Sequence, residues 1–181
     1  MRRLIYLENL KSQKGMTLIE LIMIMLIIGL LAGISIPVWM SYMPTMRLNG
    51  AARNLQMALS LTRMKAVAKN RRVALQINTN QTYKLQYNDG TNWVDYTGNE
   101  QLMSPMDLSQ QGVSIAPDNV FPAGDSGGKR VIFNSRGSCV DAANSLVKTG
   151  SQEIGNITLS NNKGKTRSIT IATRTGLVNL N

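Results

Sequence analysis

Histidine is absent from the 181 residues, and cysteine occurs once, at Cys139. The first absence removes the commonest general base and the commonest metal ligand. The second excludes an internal disulfide and any multi-cysteine metal site. Cys139 is left as a small half-buried side chain in a strand or turn, or as a partner for another chain. Acidic residues are scarce, ten against twenty basic ones, and few of them are grouped. Asp118 and Asp125 share one loop and admit a Ca²⁺ site, although Asx-rich turns explain them more simply. An enzyme has little here to build an active site from, and neither metal nor cofactor is expected. An Ala-x-Ala signal-peptidase site is missing too; Gly33-Ile34-Ser35 is the best substitute, with Pro37 two residues on.

What is present is unevenly distributed. From Leu21 to Met40 no residue is charged, and most are Leu, Ile or Met. Twenty helical residues at about 1.5 Å each span roughly 30 Å, the hydrocarbon thickness of a bilayer. Beyond about residue 75 the chain turns polar, rich in Asn, Ser, Thr and Gly. The first fifteen residues carry Arg2, Arg3, Lys11 and Lys14 against Glu8. Between Thr45 and Arg72 lie Arg47, Arg53, Arg63, Lys65, Lys69, Arg71 and Arg72 with no acid. Outside these two segments the charges balance. Three readings compete for the seven: a solvated helix flank, attraction to anionic lipid headgroups, and nucleic-acid binding. The absence of aromatic residues between Arg47 and Arg72 counts against the third.

Glu20 stands at the head of the apolar run, where a carboxylate is costly and functional by default. A hydrated position near the interface is the plain alternative. If the chain is cut after Gly15, Met16 exposes an amine four residues from Glu20. One subunit's amine then meets the carboxylate of a neighbour, and this pair sets the axial register of a helical assembly. Pro37 and Pro44 each lack an N–H, so a kink or local melting is expected at the end of the span. Beyond them Leu48, Ala51, Ala52, Leu55, Ala58, Leu59, Thr62 and Ala66 recur at three- and four-residue spacing, a single stripe for packing on a sheet. Arg53, Met57, Met64 and Arg71 fall on the opposite face, where methionine suits contact with neighbouring helices.

From Val73 the period falls to two. Strands are expected at 73–78, 82–87, 93–96, 113–115, 131–133, 156–160, 168–173 and 177–180, with 117–128 a long surface loop and 136–153 loop or short helix. About eight short antiparallel strands behind one long helix make an α+β chain.

Gly15-Met16-Thr17-Leu18-Ile19-Glu20-Leu21 resembles the class III signal of type IV prepilins and type II secretion pseudopilins. The resemblance implies cleavage between Gly15 and Met16 by a prepilin peptidase, N-methylation of Met16, Glu20 as the assembly carboxylate, and Pro37 as the proline that loosens the helix. Met16 departs from the usual phenylalanine. The later chain is similar to the GspH/FimT family of minor pseudopilins and minor pilins. That similarity rests on Ala52-Arg53-Asn54-Leu55, Ala66 through Arg71, Ile132-Phe133-Asn134-Ser135-Arg136-Gly137, and Ile169-Thr170-Ile171 with Thr175-Gly176-Leu177-Val178. It implies the type IV pilin fold and four segments: a leader at 1–15, a transmembrane assembly half at 16–40, a basic amphipathic half at 41–72, and a periplasmic antiparallel β domain at 73–181. Other pilin or pseudopilin subunits, an inner-membrane assembly platform and the lipid bilayer are the implied partners. The four basic leader residues point to a cytoplasmic N-terminus and a C-terminal domain across the inner membrane of a Gram-negative envelope. Some fimbrial members bind DNA through arginines after the last hairpin glycine. Gly176-Leu177-Val178-Asn179 lacks them, so nucleic acid is not favoured as a partner. The cysteine pair common in major pilins is also missing, which points to a minor subunit.

Overall fold

The computed structural model describes residues 15–79, 81–97 and 106–181. The leader with its charges, the turn residue Asn80 and the Ser104-Pro105 loop lie outside the described residues. Among the described residues one long helix, α1 (Leu18–Ala68), is followed by ten strands. They are β1 (Val73–Ile77), β2 (Thr82–Asn88), β3 (Trp93–Asp95), β4 (Met106–Asp107), β5 (Val113–Pro117), β6 (Lys129–Phe133), β7 (Cys139–Val140), β8 (Ile154–Asn161), β9 (Thr166–Ala172) and β10 (Leu177–Leu180). The chain divides into two compact units, residues up to Ser41 and residues from Tyr42 onward.

In the first unit nothing is buried across the apolar window of α1. Helical assignment runs without interruption through Pro37 and Pro44. The local melting suggested by their missing N–H groups is therefore a correction: the surrounding turns keep the helix.

In the second unit the rest of α1 packs on two antiparallel sheets. One has the order β3-β2-β1-β6-β7 with β4 also on β2; the other runs β10-β9-β8-β5. The buried residues of α1 are the eight of the expected stripe, Leu48 to Ala66. They share one core with Leu75, Ile77, Tyr83 and Phe133 of the first sheet and Ile157, Leu159, Ile169 and Ile171 of the second. Alternation along β1 explains the layering. Val73, Leu75 and Ile77 face this core, whereas Ala74 joins Ile132 and Val140 in a smaller cluster under Trp93 and Leu146. The helix ends by design of its sequence. Asn70 takes a left-handed φ of 48°, its N–H donates to Val67 O (3.2 Å), and the Arg71 N–H donates to Ala66 O (3.2 Å). This is a Schellman closure with asparagine in the position glycine usually fills.

All eight expected strands are present. β4 and β7 are additions of two residues each, and 136–153 forms turns, β7 and isolated bridges rather than a helix. The 117–128 segment is not simply a surface loop. Phe121 is buried at its centre, and its ring sits where a Cβ on Gly155 would need to be. Further along, Asp125 accepts from buried Gln86 Nε2 (2.8 Å) and pairs with Arg130. Gln86 Nε2 also donates to Asp95 (2.8 Å), which pairs with Lys84 (2.7 Å). The segment is thus fastened over the outer face of the first sheet. Asp118 instead accepts from Thr149 Oγ1 (3.1 Å). The two aspartates serve different contacts, and no group of three metal-ligating side chains occurs among the described residues.

The Gln86 hydrogen bond, then Arg130, holds the Asp125 carboxyl below its ordinary value of 3.8 against the opposing effect of partial burial. Burial raises Asp95, but hydrogen bonds from Lys84 and Gln86 outweigh it and the net shift is downward. A depressed folded-state pKa stabilises above the unfolded value and is lost as pH falls through the folded one. Urea unfolding should therefore become easier as pH falls below the ordinary carboxyl value of 3.8. Asp125→Asn should flatten that dependence, measured as the urea midpoint against pH.

Candidate assembly helix and basic surfaces

Residues 15–17 precede the helix without regular structure, and all three are exposed. A Cβ on Gly15 would meet nothing within 4 Å. The Gly15–Met16 bond therefore lies in open, irregular chain, as a protease needs. Thr17 then caps α1: the Glu20 N–H donates to Thr17 Oγ1 (3.3 Å). Thr17-x-x-Glu20 is the spacing of a capping box, and Glu20 also places its charge in the first turn, where the helix dipole favours an anion. A reading of Glu20 for its charge alone misses this second role. Gly29 and Gly33 add a packing feature to the same half of the helix. Four residues apart on the apolar half, with no atom within 4 Å of a built Cβ, they allow close backbone approach by another helix.

The stripe opposite the buried one carries Arg53, Met57 and Met64, all exposed, with Val67 beside them. The seven basic residues separate into two groups. Four are engaged with the domain. Arg63 Nε donates to Gly137 O (3.2 Å). The Lys65 ammonium lies 4.1 Å from the centre of the Tyr96 ring, and the Arg71 guanidinium 5.0 Å from that of Tyr87. Arg72 reaches Ala142 O (3.3 Å) and Asn88 Oδ1 (3.4 Å). For these four, the solvated-flank reading gives way to a structural one. Arg47 Nη2 donates to Met43 Sδ (3.4 Å) on its own helix. Arg53 lines a cleft with Asn49 and Arg167. Lys69 lies in the last turn before the helix closure.

Past that end of α1 an open groove of about 780 Å³ is lined by Asn70, Arg71, Arg72, Arg136, Asn144 and Arg174, among others. Its charge is partly spoken for, because Arg174 makes a two-pronged pair with Glu153 (2.9 and 3.1 Å). Arg136 extends into solvent. On the floor of this region the β6–β7 turn meets the β9–β10 turn. Ser138 Oγ donates to Arg174 O (2.8 Å), and the Cys139 N–H donates to Thr173 O (2.7 Å). Cys139 itself is fully buried rather than half-buried, and burial pushes its thiol up to about 12. Pairing with another chain is thereby excluded while the domain is folded, and thiol reagents at neutral pH should label it only after unfolding, as mass spectrometry of alkylated protein would read.

A helix with an unburied apolar first half and a second half laid on antiparallel sheets is the architecture of type IV pilin-like subunits. The prokaryotic N-terminal methylation motif matches residues 10–36, and the family of Type II transport protein GspH matches residues 51–176. The chain belongs to the GspH family. Among solved structures it is similar to the minor pseudopilin EpsH from the Type 2 Secretion System of Vibrio cholerae. There 11% of residues are identical, 75% of this chain and 96% of that chain are covered, and the TM-score is 0.54. A second EpsH structure gives 10% identity, 74% and 92% coverage, and the same TM-score of 0.54. The type IV minor pilin FimU of Pseudomonas aeruginosa aligns at 13% identity over 77% of this chain and 92% of its own, with a TM-score of 0.48. No curated protein matches the sequence. Family and fold are those of structural subunits that interact with other pilins.

Proposed function

We propose that this chain is a minor pilin or pseudopilin that primes or joins a type IV pilus or type II secretion pseudopilus. In this reading a prepilin peptidase cuts after Gly15 and Met16 is N-methylated. The apolar half of α1 holds the subunit in the inner membrane, with residues 42–181 in the periplasm, until an assembly platform extracts it. The single observation that supports this best is the unburied apolar run of α1 continuing into an outward face with Met57 and Met64. Such a surface has no use in a lone soluble domain and needs lipid first and neighbouring helices afterwards.

Gly15→Val tests the first step. The open surroundings of Gly15 leave no steric reason for misfolding. The variant should accumulate as uncut precursor, heavier by the leader on intact-mass measurement. Cleavage at the same bond would refute the assigned processing.

One observation favours a second reading, nucleic-acid binding: the arginine-lined groove beyond the end of α1. A gel shift of detergent-solubilised protein across a salt series tests it. Binding that weakens steeply with salt, and is lost on Arg136→Gln, supports this reading; no salt-sensitive shift removes it.

A further inference from the structure

The β8–β9 hairpin tip lies beside the start of the domain's helix. Arg167 Nε donates to Asn49 Oδ1 (2.9 Å), and Thr45, Asn49, Gly164, Lys165 and Arg167 line a shared cleft of about 360 Å³. The tip is held firmly. Asn161 Oδ1 accepts from the backbone N–H groups of both Lys163 and Lys165 (3.0 Å each). The Asn161 and Gly164 N–H groups close the turn onto Lys165 O and Asn161 O. Every residue from 162 to 167 is exposed. Lys163, Lys165 and Arg167 thus stand on a fixed support, with Arg167 sharing a cleft with Arg53 of α1 and Arg47 six positions before Arg53 on the same helix. Arg167 uses one of its five N–H donors on Asn49, leaving the rest of the guanidinium to outside acceptors.

Acid is lacking on the hairpin and on α1 beyond Glu20. No Asp or Glu occurs between Glu20 and Asp89, or after Glu153. Asn181 lines the neighbouring cleft with Arg53 and Arg167.

We propose that this basic collar, Arg47, Arg53, Lys163, Lys165 and Arg167, docks on anionic phospholipid headgroups while the subunit waits in the membrane. The inference rests on the membrane-anchored reading of α1. Arg47 follows Met40, the last residue of the apolar run, by seven positions. Even a fully extended chain covers no more than about 25 Å over that length, so whatever the orientation of the two units the collar is tethered within reach of the headgroups. A cluster of cations so close to a membrane anchor is a surface for anionic lipid. Single-stranded nucleic acid fits less well, because no aromatic side chain lines either cleft for bases to stack on.

The test uses the full chain in nanodiscs with Asn162→Cys as a fluorescent label site, Cys139 being too buried to compete. Quenching by a headgroup-labelled lipid reports proximity. Replacing about one third of the phosphatidylcholine by phosphatidylglycerol should raise quenching about threefold, and about 0.5 M salt should abolish the rise. The combined variant K163Q/K165Q/R167Q should lose it, and the charge-conserving K163R/K165R/R167K should keep it. Quenching that ignores lipid charge in chains that do enter the discs overturns this proposal alone. Chains that fail to enter the discs overturn the anchoring and the proposal with it. A salt-sensitive response to DNA with none to phosphatidylglycerol assigns the collar to nucleic acid and also overturns it.

Discussion

Under the proposed assembly, replacing Glu20 by alanine should leave membrane insertion intact and lower incorporation into filaments by at least about tenfold, because a neighbour's Met16 ammonium would lose its proposed partner. The apolar run beyond it is untouched, so insertion is unaffected. Alanine, however, removes two things: the carboxylate proposed to meet a neighbour's Met16 ammonium, and the side chain that the Thr17-x-x-Glu20 spacing offers to a capping box, while the backbone N–H that bonds Thr17 Oγ1 remains. Glu20→Gln separates them. Glutamine serves a capping box as well as glutamate does, but it has no charge. If pairing with the new N-terminus governs register, Gln fails as badly as Ala when sheared filaments are probed for the subunit. Wild-type incorporation of the Gln variant would refute the ion pair and leave helix capping as the role of Glu20.

Gly176→Ala should destabilise the domain by about 2–4 kcal/mol, near the upper end for a single methyl group. Two effects add. Gly176 has a φ of +66°, which an L side chain adopts at a cost of about 1 kcal/mol. A Cβ there would also lie 1.8 Å from Gly137 O and 2.9 Å from Arg63 Nε. The first of these is backbone, and it is the same oxygen that Arg63 holds from α1. The methyl group therefore forces apart the contact that joins both sheets to the helix. Gly164→Ala isolates the backbone effect, with a φ of +74° and nothing within 4 Å. It should cost only about 1 kcal/mol. Equal urea midpoints for the two variants would show that the close approach at Gly176 is unimportant.

What could be read beforehand follows from period. The helical stripe from Leu48 to Ala66 repeats often enough to declare itself residue by residue, and strands such as β2 and β9 alternate visibly. β4 and β7, at two residues, have no period to read. Phe121 is a lone aromatic in a stretch of prolines and glycines, so nothing marks it as the anchor of its loop. The basic run shows the limit most clearly. No aromatic lies among its residues, yet Lys65 and Arg71 are capped by Tyr96 and Tyr87, which return from the first sheet. Arg63 finds its acceptor 74 positions away in a turn. Local spacing carries no information about such partners. The Thr17–Glu20 cap, by contrast, is legible in four letters once Glu20 is considered as a helix residue as well as a charge.

The way α1 enters the domain bears on mechanics. Any pull on the apolar half reaches the folded part through Tyr42, where the second unit begins and leads into the core stripe. Leu48 to Ala66 then resist in shear, all side chains loaded together, whereas a hairpin tugged at one end gives way one pair at a time. A load applied at Tyr42 is thus shared across the core stripe rather than unravelling the domain, and the Arg63 clasp on Gly137 sits near the far end of that stripe.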